Sequence, residues 1–416
     1  MSAIGSSLPH AVAARSRPAL RELFVESLLL GAVGFGGGLS VLSLIQSRAV
    51  EKKGWLTERE FNNAATLAQM LPGGAAANAL AYIGLRFHGN RGAAVAYAGF
   101  CLPGFVVTLG LAWAYVRFGS LPNADAVLDG LNAAIVGIIA AITLRMVRTA
   151  VSRLWQMGVA AAALLLSLVG DASAGEVAFL GIAAGLVLDL LMKHARARTF
   201  MKRARPSPHP ALPEEGDPLP YTREKTGLFA LGGMAGLHVS GADRGIVKLT
   251  ILFFRTGLGA FGGGFAIIPH LRSTLLSHGW LTAHQFTDAV AIGKLTPGPV
   301  LLMATFIGYV VGGFPAAILA TIAIFAGPFL LVITLSAWLT RVRSRRPIRA
   351  ALRGLTPAVV GMMAASAITL GTSLRSTTDV AIAAAVTLTL VRFPVNPVLV
   401  LGIVGVARVV MRLTGL

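Results

Sequence analysis

The chain has 416 residues, 55% of them apolar and only 13% charged, with a mean hydropathy of +0.74. That composition excludes a soluble globule of this length and points to lipid as the solvent. The net charge of +19 does not mark a nucleic-acid-binding module, because the basic residues sit in short segments between apolar runs, where they report membrane topology.

Apolar runs fall at 21–47, 62–87, 92–118, 127–150, 154–170 and 174–192, and again at 246–271, 285–311, 314–340, 351–371, 377–392 and 394–414. Each approaches the roughly 20 residues needed to cross a hydrocarbon core of ~30 Å. None shows the period-2 alternation of an outer-membrane barrel, and backbone groups in lipid must be satisfied within their own segment, so the runs are expected to be helices. The expected fold is therefore an all-α polytopic membrane protein with about six hydrophobic segments in each half, making 12 or 13 crossings. The first nineteen residues lack an apolar stretch of secretory type, so no cleaved signal peptide is expected.

The halves repeat. Phe35-Gly36-Gly37-Gly38 returns as Phe261-Gly262-Gly263-Gly264, Gly54-Trp55-Leu56-Thr57 as Gly279-Trp280-Leu281-Thr282, Phe61 as Phe286, Pro72-Gly73 as Pro297-Gly298, and Ile83-Gly84 as Ile307-Gly308. The chain divides into a first transporter repeat (1–192), a basic and proline-rich linker (193–243) and a second repeat (244–416). Lys193, Arg196, Arg198, Lys202, Arg203 and Arg205 place the linker in the cytoplasm, as do Arg145, Arg148 and Arg153 for the loop before it. Residues 341–353 carry six arginines and no acid, whereas the matching loop of the first half holds Arg117, Asp125 and Asp129. The repeats are therefore expected to be inverted, with an odd number of crossings between them. Gly227–Gly241 is the candidate for the extra crossing, though its 15 residues are short for a span.

Glycine and proline inside apolar sequence carry the chemistry. A helix interrupted at membrane depth exposes backbone groups that protein, water or a ligand must satisfy. Each new helix beginning after a break presents unpaired N–H groups and about half a positive charge. Two such ends, one from each repeat, are expected to be able to cradle a compact oxyanion. The competing reading is tight helix packing by small residues. Lys294, matched by Gln69 in the first half, either faces an anionic substrate, snorkels to an interface or pairs with Asp288. Asn78 either donates into the same cavity or bonds a neighbouring helix. Arg48, Arg272, Trp55 and Trp280 read as interfacial residues. Glu22, Glu26, Asp129 and Asp288 are the few acids near segment starts, where helix-terminal roles compete with proton transfer. Cys101 stands alone, no cluster has metal-ligand spacing, and no cofactor or catalytic residue is expected.

The repeated order Phe-Gly-Gly-Gly, Gly-Trp-Leu-Thr, Phe, Pro-Gly-(Gly/Pro), Ile-Gly at 35–84 and 261–308 resembles the long, two-domain form of the chromate ion transporter family. The resemblance covers nearly the whole chain. It implies a multi-pass protein of the bacterial inner membrane that exports chromate and confers resistance, with protons as coupling ion and a homodimer as possible further features. The expected partners are chromate or a similar oxyanion and the lipid bilayer, with no nucleic acid. Carried onto this sequence, the motif positions are Gly36, Gly37, Gly38, Pro72, Gly73, Gly262, Gly263, Gly264, Pro297, Gly298 and Pro299, to which Gln69, Asn78 and Lys294 are added as substrate-binding candidates. Gly74 stands where the second half has Pro299, and Lys294 stands where glutamine is the expected pattern. A transporter of sulfate or another oxyanion, and an anion channel or sensor without coupled transport, are the alternatives.

Overall fold

The computed structural model describes residues 17–35, 38–118, 122–169, 172–200, 241–342, 345–374, 376–393 and 395–414. Every regular element among them is helical. The first repeat runs α1 (Leu20–Val33), α2 (Gly38–Gln46) continued by a π-turn (Ser47–Lys52), α3 (Glu58–Met70), α4 (Ala75–Phe118), α5 (Pro122–Ala150), α6 (Leu154–Val169) and α7 (Ala174–Phe200). The second runs α8 (Gly241–Leu258), a 3-10 turn (Gly262–Gly264), α9 (Ile268–Ser277), α10 (Ala283–Leu295), a 3-10 turn (Val300–Leu302), α11 (Met303–Val342), α12 (Arg346–Gly371), α13 (Thr377–Arg392) and α14 (Pro397–Leu413).

Not every apolar run is a crossing. Helix α3 starts with a capping box between Thr57 and Glu60 and stops after 13 residues, about 20 Å, at an extended Leu71 before Pro72. The chain then turns back. Arg86, late in α4's first arm, bonds Glu60 at the start of α3 at 2.6 Å, and the Asn78 amide donates to the carbonyls of Ala68 (3.3 Å) and Pro72 (2.9 Å). The second repeat copies this with a capping box between Thr282 and Gln285, a break after Leu295, and Gly293 lying against Met303. The run 21–47 also folds back: Lys53 bonds Glu22 at 2.9 Å and Glu26 at 3.4 Å, and Arg48 bonds Glu26 at 3.3 Å. The hydrogen bond to Glu22 holds the Lys53 pKa above its ordinary value. These runs, expected to cross, are instead hairpins whose tips carry the glycine and proline breaks. A run has the same hydropathy whether it crosses or reverses at its middle, and the break decides which it does.

Helices α4 and α11 each contain a second reversal, at His88–Gly89 (Gly89 φ 59°, ψ −149°) and Gly312–Gly313 (Gly313 φ 68°, ψ −158°). Gly84 lies against the Gly92 backbone and Gly308 against the Ala316 carbonyl, an approach that a side chain would block. The longer second arms, 90–118 and 314–342, cross the bundle. Helices α4, α5, α7, α11 and α12 are long and apolar enough to span a membrane, while α6, α13 and α14, with 16 or 17 residues, stand at the lower limit. Large apolar side chains exposed on the outside, such as Leu154, Val169, Leu388 and Ile403, fit a lipid-facing surface.

The contacts also fix orientation. His88 meets the Pro18 carbonyl, so α1 and both first-repeat hairpins start at one end of the bundle; the second arm of α4 crosses away and α5 returns. At that end Arg145 donates to the Leu390 and Phe393 carbonyls, and Arg346 pairs with Asp189 at 2.9 Å. The basic segment 145–153 and the arginine-rich start of α12 therefore share an end, which the positive-inside rule assigns to the cytoplasm. The start of α10 lies at the other end, where His284 meets Asp129 of α5. The repeats are inverted. Helix α7 ends at the basic end and α8 begins at the opposite one, the parity that inversion requires. The linker residues 201–240, and with them all but the last residue of the candidate crossing at 227–241, lie outside the described residues.

The repeats interlock. Helix α5 packs against α13 and α14, and α12 against α6 and α7, so each repeat's fifth helix is enclosed by the last two helices of the other. Small residues make this closeness possible: Gly137 lies against Ala383 and Val386, its counterpart Gly361 against Ala160 and Ala163, and Gly354 against Gly181 and Gly185.

Candidate functional site

The breaks meet where the repeats cross. The Gly73 N–H at the first tip donates to the Ala260 carbonyl at 2.8 Å, and the Gly298 N–H at the second tip donates to the Gly34 carbonyl at 3.1 Å. Each proline–glycine tip is thus tied to the chain just ahead of the glycine run of the other repeat. The tips also touch, since a Cβ on Gly74 would stand 3.2 Å from that of Pro299. Around the tips, Pro328 of α11 backs Gly73 and Gly104 of α4 lies against the Pro297 carbonyl.

This junction is electrostatically biased. Each hairpin brings one helix C-terminus and one N-terminus to its tip, so the dipoles would partly cancel if both ends were bare. They are not equally bare. Asn78 donates to two carbonyls at the end of α3, and the Thr296 hydroxyl and N–H donate to the carbonyls of Gly293 and Ile292 at the end of α10. Capping the carbonyls leaves the N-termini of α2, α4 and the turn before α11 as the dominant dipole ends, a field that favours an anion.

Lys294 adds a full charge. It is 5% exposed, its Nζ lies 5.5 Å from the centre of the Phe265 ring, and no hydrogen bond or ion pair reaches it from the described residues. An ammonium on a nearly buried side chain, unpaired and beside a ring face, is costly unless an anion or water completes its shell. The Asp288 pairing is not made; that carboxylate is held by Tyr115, Asn132 and His284 instead. Interface snorkelling does not fit either, because α10 is inside the hairpin and Lys294 is at its tip end.

The remaining expected residues divide. Gly262, Gly263 and Gly264 form a turn with φ of 64°, 72° and 93°, conformations that L side chains rarely adopt, and Gly263 faces open space. Gly38 opens α2 and approaches Ala75 at the start of α4. Gly36 and Gly37 lie outside the described residues. Pro72, Gly73, Pro297, Gly298 and Pro299 are at the tips as expected. Gln69 is exposed and its amide bonds its own helix at the Ala65 carbonyl, so it does not duplicate the position of Lys294. Asn78 braces the hairpin, although its Oδ1 has no partner among the described residues. Arg48 pairs with Glu26, Trp55 is buried against Phe87, and Trp280 stacks on His278. The sequence reading singled out Asp129 and Asp288 but missed Thr296, the Ala260 carbonyl, Tyr115, Asn132 and His284; the His284–Asp288 spacing of one helical turn is the signal that could have found the last.

Beside the glycine turn of the second repeat, a cavity of about 480 Å³ opens between α8, α9 and the start of α7. Lys248, Arg255 and His270 face it with Glu176, and it reaches Thr256 and Gly259 just ahead of the turn. Its wall is cationic on balance, suited to concentrating an anion.

Comparison with known proteins agrees with this architecture. The family model for chromate transporters matches twice, over residues 21–188 and 247–409. The chain is 32% identical over 369 residues to a probable chromate transport protein of Synechococcus elongatus, covering 88% of this chain and 87% of that one. It is 32% identical over 356 residues to a chromate transport protein of Cupriavidus metallidurans, covering 84% and 82%, and 27% identical over 359 residues to one of Pseudomonas aeruginosa, covering 84% and 80%. No solved structure matches the chain significantly. With both repeats matched and the paired breaks at their crossing, the chain belongs to the chromate transporter family.

Proposed function

We propose that this protein is a secondary transporter that binds chromate between its two hairpin tips and exports it across the bacterial inner membrane, conferring chromate resistance. The observation that carries the reading is the crossing of the tips: reciprocal Gly73–Ala260 and Gly298–Gly34 hydrogen bonds bring helix N-termini from both repeats together beside the unpaired, buried Lys294. A tetrahedral dianion matches that field in sign and in compactness. Names of the relatives favour chromate over other oxyanions. Inverted repeats meeting at a central site supply the geometry of alternating access, in which one set of elements rocks against the other around a fixed ligand.

The test is uptake of labelled chromate by energised inverted membrane vesicles, with sulfate as competitor. Concentrative uptake that excess sulfate leaves intact supports the reading. Equal competition by sulfate would widen the substrate to tetrahedral oxyanions. Uptake that stops at equilibration, or none above vesicles lacking the protein, would overturn secondary active export.

A further inference from the structure

At the non-cytoplasmic end of α10 the two repeats share a polar array that the anion site does not use. Asp288, with no exposed surface, accepts a hydrogen bond from the Tyr115 hydroxyl of α4 (2.8 Å) and from the Asn132 amide of α5 (2.8 Å), and faces Nδ1 of His284 one turn earlier (2.8 Å). Nε2 of His284 faces Oδ1 of Asp129 on α5 at 3.4 Å. Asp129 and His284 line a cavity of about 240 Å³ whose other walls include Arg272 of α9 and Asp379 of α13. Arg272 points to Ser373 (3.5 Å), and Asp379 is neutralised by Arg408 of α14 (2.8 Å). The Asn132 Oδ1 is buried and has no partner among the described residues.

Proton counting gives this array its meaning. Both ring nitrogens of His284 face carboxylate oxygens. A neutral imidazole carries one N–H, so it satisfies one carboxylate and turns a lone pair towards the other. Bonding on both sides requires one more proton, either on the ring or on Asp129. The array therefore has a loaded state, in which α10 is clasped to α4 and α5, and an unloaded state, in which a lone pair and a carboxylate oppose each other across the α5–α10 contact.

We propose that Asp129, His284 and Asp288 form the proton-binding site through which this transporter is coupled to the proton gradient, with Tyr115 and Asn132 as positioning residues. The cavity gives Asp129 and His284 contact with the non-cytoplasmic side, and Asp288 lies behind them. Coupling runs along one rigid element: Asp288 and Lys294 are six residues apart on α10, about 9 Å along its axis. Loading a proton from outside clasps the base of the second hairpin to the first repeat, and releasing it to the cytoplasmic side once the repeats have rocked frees the hairpin whose tip holds the anion. Protons entering then drive the anion outward.

The inference rests on the transport reading above, so its test has an arm that needs no transport. In infrared difference spectra of the purified, unliganded protein between acid and alkaline pH, bands of a titrating carboxyl and imidazole are expected, and each should be lost in Asp129→Asn and in His284→Gln. Both replacements keep hydrogen-bonding groups, Asp129 stands at the cavity rim, and detergent melting temperature checks folding. Spectra unchanged by the replacements would overturn the proposal. In the second arm, proteoliposomes with clamped membrane potential receive a gradient of about one pH unit, which at one proton per anion sustains about tenfold chromate accumulation. His284→Gln should lose that accumulation while keeping chromate exchange within about twofold of the native protein; accumulation retained in His284→Gln overturns the coupling role. Loss of exchange in the native protein as well would indict the transport reading and leave the infrared result to decide the proton site.

Discussion

The two hairpin tips share a backbone and differ in charge. Gly73 and Gly298 have nearly the same φ, 104° and 99°, and make the same cross-repeat hydrogen bond. Their surroundings diverge. The first hairpin carries exposed Gln69 where the second carries buried Lys294, Asn78 where the second has Met303, and a Glu60–Arg86 bridge at its base where the second has Gln285 and Val310. The second hairpin is instead anchored across the repeats by Asp288 and His284. Duplication thus provides a symmetric cradle, and divergence places its charge and its cross-repeat anchor on one side. On the proposed function, an anion in this cradle would be held off the pseudo-twofold axis, nearer the second tip.

The largest effect should come from removing that asymmetry of charge. Lys294→Glu puts an anion where the proposed site would hold one, and an uncompensated buried charge costs about 3–5 kcal/mol, on the order of a hundredfold or more in affinity. Chromate uptake by vesicles should fall below detection while the inserted protein remains. Lys294→Gln, which copies the residue type of the first repeat, should keep uptake at roughly a tenth of the native rate, because the helix N-termini remain. Normal transport by Lys294→Glu would place the lysine outside the path and return the two tips to equivalence.

A smaller effect separates the tips by packing. In both Gly73→Ala and Gly298→Ala the left-handed backbone costs about 1–2 kcal/mol. At Gly73 the new methyl would also stand 2.7 Å from the Pro328 Cβ and 3.2 Å from the Asn78 Oδ1, whereas at Gly298 the nearest atom is a flexible Leu302 Cδ1 at 3.4 Å. Overpacking adds about 1–3 kcal/mol at the first tip alone. Gly73→Ala should therefore lower the detergent melting temperature roughly twice as far as Gly298→Ala. Equal losses would show that Pro328 yields and that the first tip is no tighter than the second.

These contrasts were only partly legible in the sequence. The recurrence of Phe-Gly-Gly-Gly and Pro-Gly gave the duplication and the positions of the breaks, and the arginines of 341–353 gave the inversion, because both are local patterns in the chain. That the runs 62–87 and 285–311 turn back was not legible, since apolar composition is indifferent to direction. A clue did exist: Glu60 and Arg86 lie almost equally far from Pro72-Gly73, as a closed hairpin requires. The choice among the three readings of Lys294, one of which paired it with Asp288, was not legible either. Lys294 is near Asp288 in sequence, but six residues of helix turn the two onto different faces, and of the actual partners only His284 is local, Tyr115 and Asn132 being more than 150 residues away.

The finest distinction lies within the glycine turn of the second repeat, and it decides whether glycine there serves packing or ligand. Gly262 and Gly264 are hemmed in: a Cβ on Gly262 would stand 2.7 Å from Val359, and one on Gly264 would stand 3.1 Å from Leu301. A Cβ on Gly263 would meet nothing within 4 Å, so packing gives no reason for glycine there. Its φ of 72° does, but at a cost to alanine of only about 1–2 kcal/mol. Gly263→Ala should accordingly fold with a modest loss in melting temperature, while Gly262→Ala loses more. If an anion approaches this backbone, the methyl of Gly263→Ala occupies its approach, and chromate affinity of the purified protein should fall about tenfold, or about 1.4 kcal/mol. Unchanged affinity in a well-folded Gly263→Ala would remove the turn from the site, leaving the anion to Lys294 and the helix N-termini at the proline–glycine tips.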